Sequence, residues 1–234
     1  MKPSDRFYQL AMPVWETYFS HPFVAGIGDG TLERERFRYY MIQDHKYLMQ
    51  YAKVFALGLI KATDEDDMRM FAELITATLD TENAVHQAYL RESGVTKEAI
   101  RETPMALNNK SYTDYMIAQA TKGGLPEIAV AALACSWSYK VIGDHLTSDP
   151  DRDKSSFYER WIGMYSSEEY RSANDAMISL VDRYCEGLPE EHLARLDEIL
   201  LDCSSYEYQF WDMAWSLGKT YTPIPWIAQG TETL

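Results

Sequence analysis

Three side chains able to do covalent or proton chemistry, Cys135, Asp44 and Glu207, fall in this 234-residue chain where apolar ones belong. One stripe with helical spacing runs Phe37, Tyr40/Met41, Asp44, Tyr47/Leu48, Tyr51, Phe55. Another runs Leu196, Ile199/Leu200, Cys203, Tyr206/Glu207, Phe210, Met213/Ala214, Leu217. A third holds Phe71, Leu74/Ile75, Thr78, Glu82, Val85/His86 and Tyr89, with Glu82 and His86 four apart and able to pair. Ile128, Ala131/Ala132, Cys135, Tyr139 and Ile142 share a fourth face. A thiol is a nucleophile, and burial raises a carboxyl's pKa towards the range useful for proton transfer. A lone cysteine on an apolar face is usually inert core, and an inward acid is often tied to a tyrosine hydroxyl or a helix end. Three inward acids and a thiol on four separate segments are costly to a core. The lining of one polar pocket explains them most simply.

The segments carrying these residues are predicted to be helices. Strict two-residue alternation is rare and the hydrophobic period is close to 3.6 nearly throughout, so the fold class is all-α, a multi-helix bundle. Ser4 and Asp5 are expected to cap a helix reaching Tyr18. His21-Pro22 and the glycine-rich run Gly26 to Gly30 then read as an interruption. Thr31 to Arg34 resembles a cap, opening a helix to about Ala62. Further helices are predicted from Asp64 to Gly94, after Thr96, and over 111–122, 125–147, 154–163, 167–186 and 189–217. The tail from Thr222, with Pro223 and Pro225, reads as irregular.

Composition narrows the function. A 46% hydrophobic content suits one domain over residues 1–234 with a sizeable core. Aromatic residues make up 13% of the chain, including 17 Tyr and 6 Trp, which suits both a large core and a pocket that stacks on a flat ligand. The net charge of −14 repels phosphate backbones and argues against nucleic acid as a partner. Arg34, Arg36 and Arg38 alternate with Glu33 and Glu35, which reads as a solvated helix face. Cys135, Cys185 and Cys203 form neither a disulfide framework nor a zinc pattern. No leader-like segment or membrane-spanning apolar run is read, and a cytoplasmic setting is expected.

Other motifs fail. Glu-x-x-His on two helices, as di-iron bundles need, is missing. Asp64-Glu65-Asp66-Asp67 does not complete a magnesium motif and reads as an acidic helix N-terminus. Gly26 to Gly30 is not a dinucleotide fingerprint, since no strand precedes it.

The ordered set His21-Pro22-Phe23-Val24-Ala25-Gly26-Ile27-Gly28-Asp29-Gly30-Thr31-Leu32, Arg36-Phe37-Arg38-Tyr39-Tyr40, Gln43-Asp44, Tyr47-Leu48, Ser111-Tyr112-Thr113, Ala134-Cys135-Ser136-Trp137-Ser138-Tyr139, Trp161-Ile162-Gly163-Met164-Tyr165 and Ser205-Tyr206-Glu207-Tyr208-Gln209-Phe210-Trp211 resembles the thiaminase II (TenA) family. The resemblance covers nearly the whole chain. It implies a haem-oxygenase-like helical fold and a homotetramer. It further implies hydrolysis of the bond between the 5-methylene and nitrogen of a 4-amino-2-methylpyrimidine, in thiamin salvage. Carried over by position, the nucleophile falls on Cys135, the aspartate near it on Asp44 and the glutamate acid/base on Glu207. Tyr47, Tyr112, Tyr139 and Tyr165 fall on pocket tyrosines, and Glu82 on a supporting carboxylate. Cys135 places the chain with the cysteine-bearing branch. Ser136 stands where a bulkier residue is often seen, and Ser166-Ser167 where a glycine pair is expected.

The implied partner is a small molecule, either thiamin or its aminopyrimidine breakdown product, with no metal or organic cofactor, no nucleic acid and no membrane. Two alternatives stay open at this level. One is a haem- or quinone-related oxidase on the same fold, with His21 as the conceivable haem ligand. The other is a non-catalytic interaction protein.

Overall fold

The structure, a computed structural model, describes residues 2–150, 152 and 154–219, with the side chains of 81–85 left out. The tail expected from Thr222 and the side chains of Glu82 and Val85 therefore lie outside the described residues. Those described form α-helices joined by short turns, with no strand among them. In chain order these are α1 (Pro3–Phe19), α2 (Pro22–Gly28), α3 (Arg34–Lys61), α4 (Glu65–Thr76), α5 (Asn83–Glu92), α6 (Lys97–Glu102), α7 (Leu107–Lys122), α8 (Leu125–Thr147), α9 (Glu159–Tyr165), α10 (Glu168–Cys185) and α11 (Glu190–Trp215).

Several boundaries differ from the sequence reading: α1 starts at Pro3 with Lys2 rather than Ser4 at its cap, α7 starts at Leu107 rather than 111, and α9 spans Glu159–Tyr165 rather than 154–163. Three further differences bear on the site. The segment read as an interruption contains α2. Pro22 sits at the start of that helix, where its missing N–H costs nothing, and the His21 ring caps it by accepting from the Phe23 N–H at 3.1 Å. Gly26 is needed for contact rather than for breaking the helix, because a Cβ there would lie 3.1 Å from Leu32. The long helix over 64–94 is not uniform. Its Asp64 cap accepts from the Asp67 N–H at 2.9 Å, but Ala77–Glu82 form a π-helical stretch between α4 and α5. The cap of α3 is Glu33 rather than Thr31, with no side-chain capping bond.

α8 is the centre of the fold. It packs against α1, α3, α7, α9, α10 and α11. Ala129, Val130, Ala131, Ala132, Leu133 and Ala134 are all buried, and these mostly small side chains let neighbouring backbones come close. Contrary to the sequence expectation, α8 is long and apolar enough by composition to cross a bilayer. However, 72% of its most apolar window is buried inside the protein, as in a core helix.

Among the described glycines, the closest approach to a neighbouring backbone involves Gly143. A Cβ at that position would lie 2.6 Å from the Tyr165 carbonyl oxygen at the end of α9. Because the obstacle is backbone, Gly143→Ala is expected to destabilise the protein by about 1–3 kcal/mol despite alanine's higher helix propensity. Chemical denaturation checks this, and an unchanged or raised midpoint contradicts it.

Candidate active site

Cys135, Glu207 and Asp44 each sit on a turn anchored to a neighbouring helix. Cys135 lies on α8. One turn earlier, the Ala132 carbonyl accepts the Tyr51 hydroxyl of α3 at 2.8 Å. One residue later, the Ser136 carbonyl accepts both the Asn174 amide at 2.6 Å and the Tyr170 hydroxyl at 3.2 Å, from α10. Glu207 lies on α11 and is buried. The preceding turn is held by α1, where the Tyr18 hydroxyl donates to the Ser204 carbonyl at 2.5 Å and the Trp15 indole to the Ser204 hydroxyl at 3.0 Å. Asp44 lies on α3 beside Gln43, whose amide spans α3 and the segment entering α7. Its Nε2 donates to the Pro104 carbonyl at 2.9 Å, and its Oε1 accepts the Ala106 N–H at 2.9 Å. The Asn109 amide donates to the Gln43 carbonyl at 2.7 Å.

The interior these residues face is strongly aromatic. Tyr47 lies with its ring centroid 5.3 Å from Tyr112 and 5.8 Å from Phe210. Tyr139 lies 4.6 Å from Tyr165 and 5.2 Å from Trp211. The Trp161 indole donates to the Tyr40 hydroxyl at 3.3 Å, and that oxygen is 3.2 Å from the Tyr139 hydroxyl.

Electrostatic coupling shows which groups share the space. Burial pushes the Tyr47, Tyr112 and Tyr139 hydroxyls well above their ordinary pKa, and the charge of Glu207 pushes each further. A Cys135 thiolate acts in the same direction on Tyr47 and Tyr112, and Asp44 does so on Tyr139. Sulfur, glutamate, aspartate and the tyrosines thus surround one region. Tyr165 joins it through Tyr139. These phenols stay protonated at neutral pH and act as hydrogen-bond donors and stacking faces rather than bases.

Cys135 is the partly exposed thiol of the three and borders a cavity of about 200 Å³ between α3, α4, the π stretch, α8 and α10. Leu48, Tyr51, Thr78 and Asn174 are among the residues lining it. A larger, more open groove of about 460 Å³, lined by Asn108, Ser111, Asp202 and Gln209, touches none of the candidate residues. The other thiols are poor nucleophiles. Burial pushes Cys185 up to about 12, and burial followed by the nearby Glu207 pushes Cys203 well above its ordinary value.

His86 has a partner that the sequence spacing did not suggest. Its Nε2 lies 2.8 Å from Asp44 Oδ2, and both side chains are shielded from solvent; the side chain of Glu82, its expected partner, lies outside the described residues. The π stretch sets the register between Ala77 and α5, and with it the direction of His86. Sequence reasoning also missed Tyr40, Trp161 and Asn174. Tyr40 stood in the apolar stripe without a sign of its polar role, and Asn174 carried no spacing signal.

His21, the conceivable haem ligand, has both ring nitrogens engaged. Nδ1 accepts from Phe23, and Nε2 lies 3.2 Å from Asp212. Burial pushes its pKa below 6.5, which Asp212 only partly offsets. The folded protein therefore keeps this ring neutral at a pH where the unfolded chain has taken up a proton. Its contribution weakens the fold as pH falls through about 6.5.

Residues 8–217 match the model of the TENA/THI-4/PQQC family. The chain belongs to this family. The Helicobacter pylori aminopyrimidine aminohydrolase is 44% identical over 215 residues, covering 92% of this chain and 99% of its relative. The Bacillus subtilis (strain 168) aminopyrimidine aminohydrolase is 36% identical over 219 residues, covering 92% and 90%. Among solved structures, the TenA homologue from P. horikoshii OT3 superposes with a TM-score of 0.83 at 29% identity, covering 92% of this chain and 99% of that one. A Silicibacter protein named as a TenA family transcription regulator has the same TM-score at 28% identity, covering 92% and 96%. Family membership thus agrees with the resemblance read from the sequence and with the all-α fold.

Two measurements check the site's chemistry. Iodoacetamide followed by peptide mass mapping is expected to label Cys135 first, with Cys185 and Cys203 protected until unfolding; equal labelling of all three contradicts the assignment. An NMR titration is expected to place the His21 ring below 6.5, and a value above 6.5 overturns its neutral capping role.

Proposed function

We propose that this chain is an aminopyrimidine aminohydrolase of the thiaminase II type. It hydrolyses the bond between the 5-methylene and nitrogen of 4-amino-5-aminomethyl-2-methylpyrimidine, and of thiamin, giving 4-amino-5-hydroxymethyl-2-methylpyrimidine for thiamin salvage. The observation carrying this reading is the gathering of Cys135, Glu207, Asp44 and several phenols around one aromatic-lined space beside a cavity. The activity named for relatives that match nearly the full chain supports it.

In this reading Cys135 is the nucleophile. Its thiolate adds to the ring carbon next to the substituted one, while Glu207 gives a proton to the ring nitrogen that accepts charge. The electron pair of the ring then moves outward, helped by the exocyclic amine, and the C–N bond breaks with its pair leaving on nitrogen. Water adds to the resulting methylene. The thiolate leaves, and Glu207 recovers its proton. Covalent catalysis splits one difficult displacement into easier steps. Asp44 orients the aminopyrimidine edge and the thiol, while Tyr47, Tyr112, Tyr139 and Tyr165 stack on the ring and place water. By the family resemblance, Glu82 serves as a supporting carboxylate. This chemistry calls for no metal or organic cofactor.

The same proposal includes a single catalytic domain over residues 1–234 and a cytoplasmic homotetramer. Free cysteines suit a reducing compartment, and the exposed Met49, Ile60, Met68 and Leu107 supply apolar surface for association. Direct DNA regulation fits poorly with a charge of −14.

Chromatographic assay of hydroxymethylpyrimidine release is expected to show turnover of the aminomethylpyrimidine. Cys135→Ser should reduce turnover to background with an unaltered circular dichroism spectrum. Glu207→Gln should cost about 10²–10⁴-fold in rate. Undiminished turnover by Cys135→Ser overturns the covalent mechanism.

A further inference from the structure

Asn174 is 1% exposed and lines the cavity that Cys135 borders. Its Nδ2 donates to the Ser136 carbonyl at 2.6 Å. A carbonyl only accepts, so this bond sets which way round the amide sits. Oδ1 therefore faces away from Ser136, and it has no hydrogen-bond partner among the described residues. A buried acceptor is costly to leave unmet.

Three hydroxyls around the cavity already have acceptors to serve. Thr78 donates to the Leu74 carbonyl at 2.8 Å, Tyr51 to Ala132, and Tyr170 to Ser136. Among the described residues no Lys or Arg lines the space, Glu169 in its lining is exposed, and much of the remaining wall is apolar. A ligand in the cavity can supply the missing donor. Charge and size specify it as a compact fragment bearing N–H and carrying positive charge.

We propose that Asn174 forms a leaving-group subsite, its Oδ1 accepting a hydrogen bond from the protonated amine on the substrate's 5-methylene. This rests on the aminopyrimidine reading above and deepens it. The bond keeps the amine in its ammonium form until the C–N bond breaks, when the bonding pair stays on nitrogen and ammonia departs. Glu169 adds negative potential at the rim. A thiazolium leaving group carries positive charge without an N–H donor, so it leaves Oδ1 unmet. Asn174 thereby favours the aminomethylpyrimidine over thiamin.

Calorimetric binding to full-length Cys135→Ser protein tests this with two ligands, 4-amino-5-aminomethyl-2-methylpyrimidine and 4-amino-2,5-dimethylpyrimidine, which lacks the amine. The amine ligand is expected to bind about tenfold tighter or more. Adding Asn174→Leu should bring the two affinities to within about threefold by weakening the amine ligand alone. Asn174→Ala decides the matter in the same way if the leucine variant does not fold. A preserved preference overturns the subsite, and so does equal loss for both ligands, which marks a purely structural role in holding Ser136. Hydrolysis by the unmodified protein is measured alongside. Turnover with an unmoved preference removes the subsite alone, whereas no turnover and no binding of either pyrimidine removes both readings.

Discussion

One helix enclosed on nearly all sides governs the architecture. α8 touches α1, α3, α7, α9, α10 and α11, so the helices bearing Asp44, Tyr47, Tyr112, Tyr165, Asn174 and Glu207 all meet the one that bears Cys135. This requires small side chains along much of its length, since a wide residue would hold a neighbour away by more than a hydrogen bond can span. The run from Ala129 to Ala134 and the glycine at 143 satisfy that requirement. Burial of this seam supplies hydrophobic free energy. That free energy supports polar groups nearby which would not be stable in a core by themselves.

Those polar groups are tied mainly by their backbones. The turns around Cys135, Glu207 and Asp44 each receive side-chain hydrogen bonds at main-chain carbonyls from another helix. Such ties locate a reactive side chain without consuming its own donors and acceptors. The backbones that carry Cys135, Glu207 and Asp44 are thus held in place. Pre-organisation of this kind is what a proton-transfer or nucleophilic site requires.

Much of this was legible in the residues. The 3.6 period carried the helices, because each buries one face against α8 or its neighbours. The acids interrupting those faces marked Asp44 and Glu207, because a carboxylate is expensive in a hydrocarbon stripe. What escaped depends on three-dimensional register or on pairing across the fold. Asp44 and His86 are 42 positions apart by arithmetic on their numbers, and no local spacing links them. Asn174 lies on an ordinary amphipathic helix, where its polarity looks like surface until α10 is docked against Ser136. Pro22 was read as a break because a proline mid-chain resembles one, whereas at a first helical position it is a start.

The π-helical stretch at Ala77–Glu82 has a consequence of a different kind. A π turn accommodates one more residue than an α turn, which rotates everything beyond it by roughly 100° about the helix axis. The azimuth of α5, and with it the direction of His86, is consequently set by a residue count. Loss of a single codon in this stretch would swing the whole of α5 at once while leaving every remaining amino acid unchanged. The contact between His86 and Asp44 is therefore more vulnerable to indels here than to many point substitutions nearby.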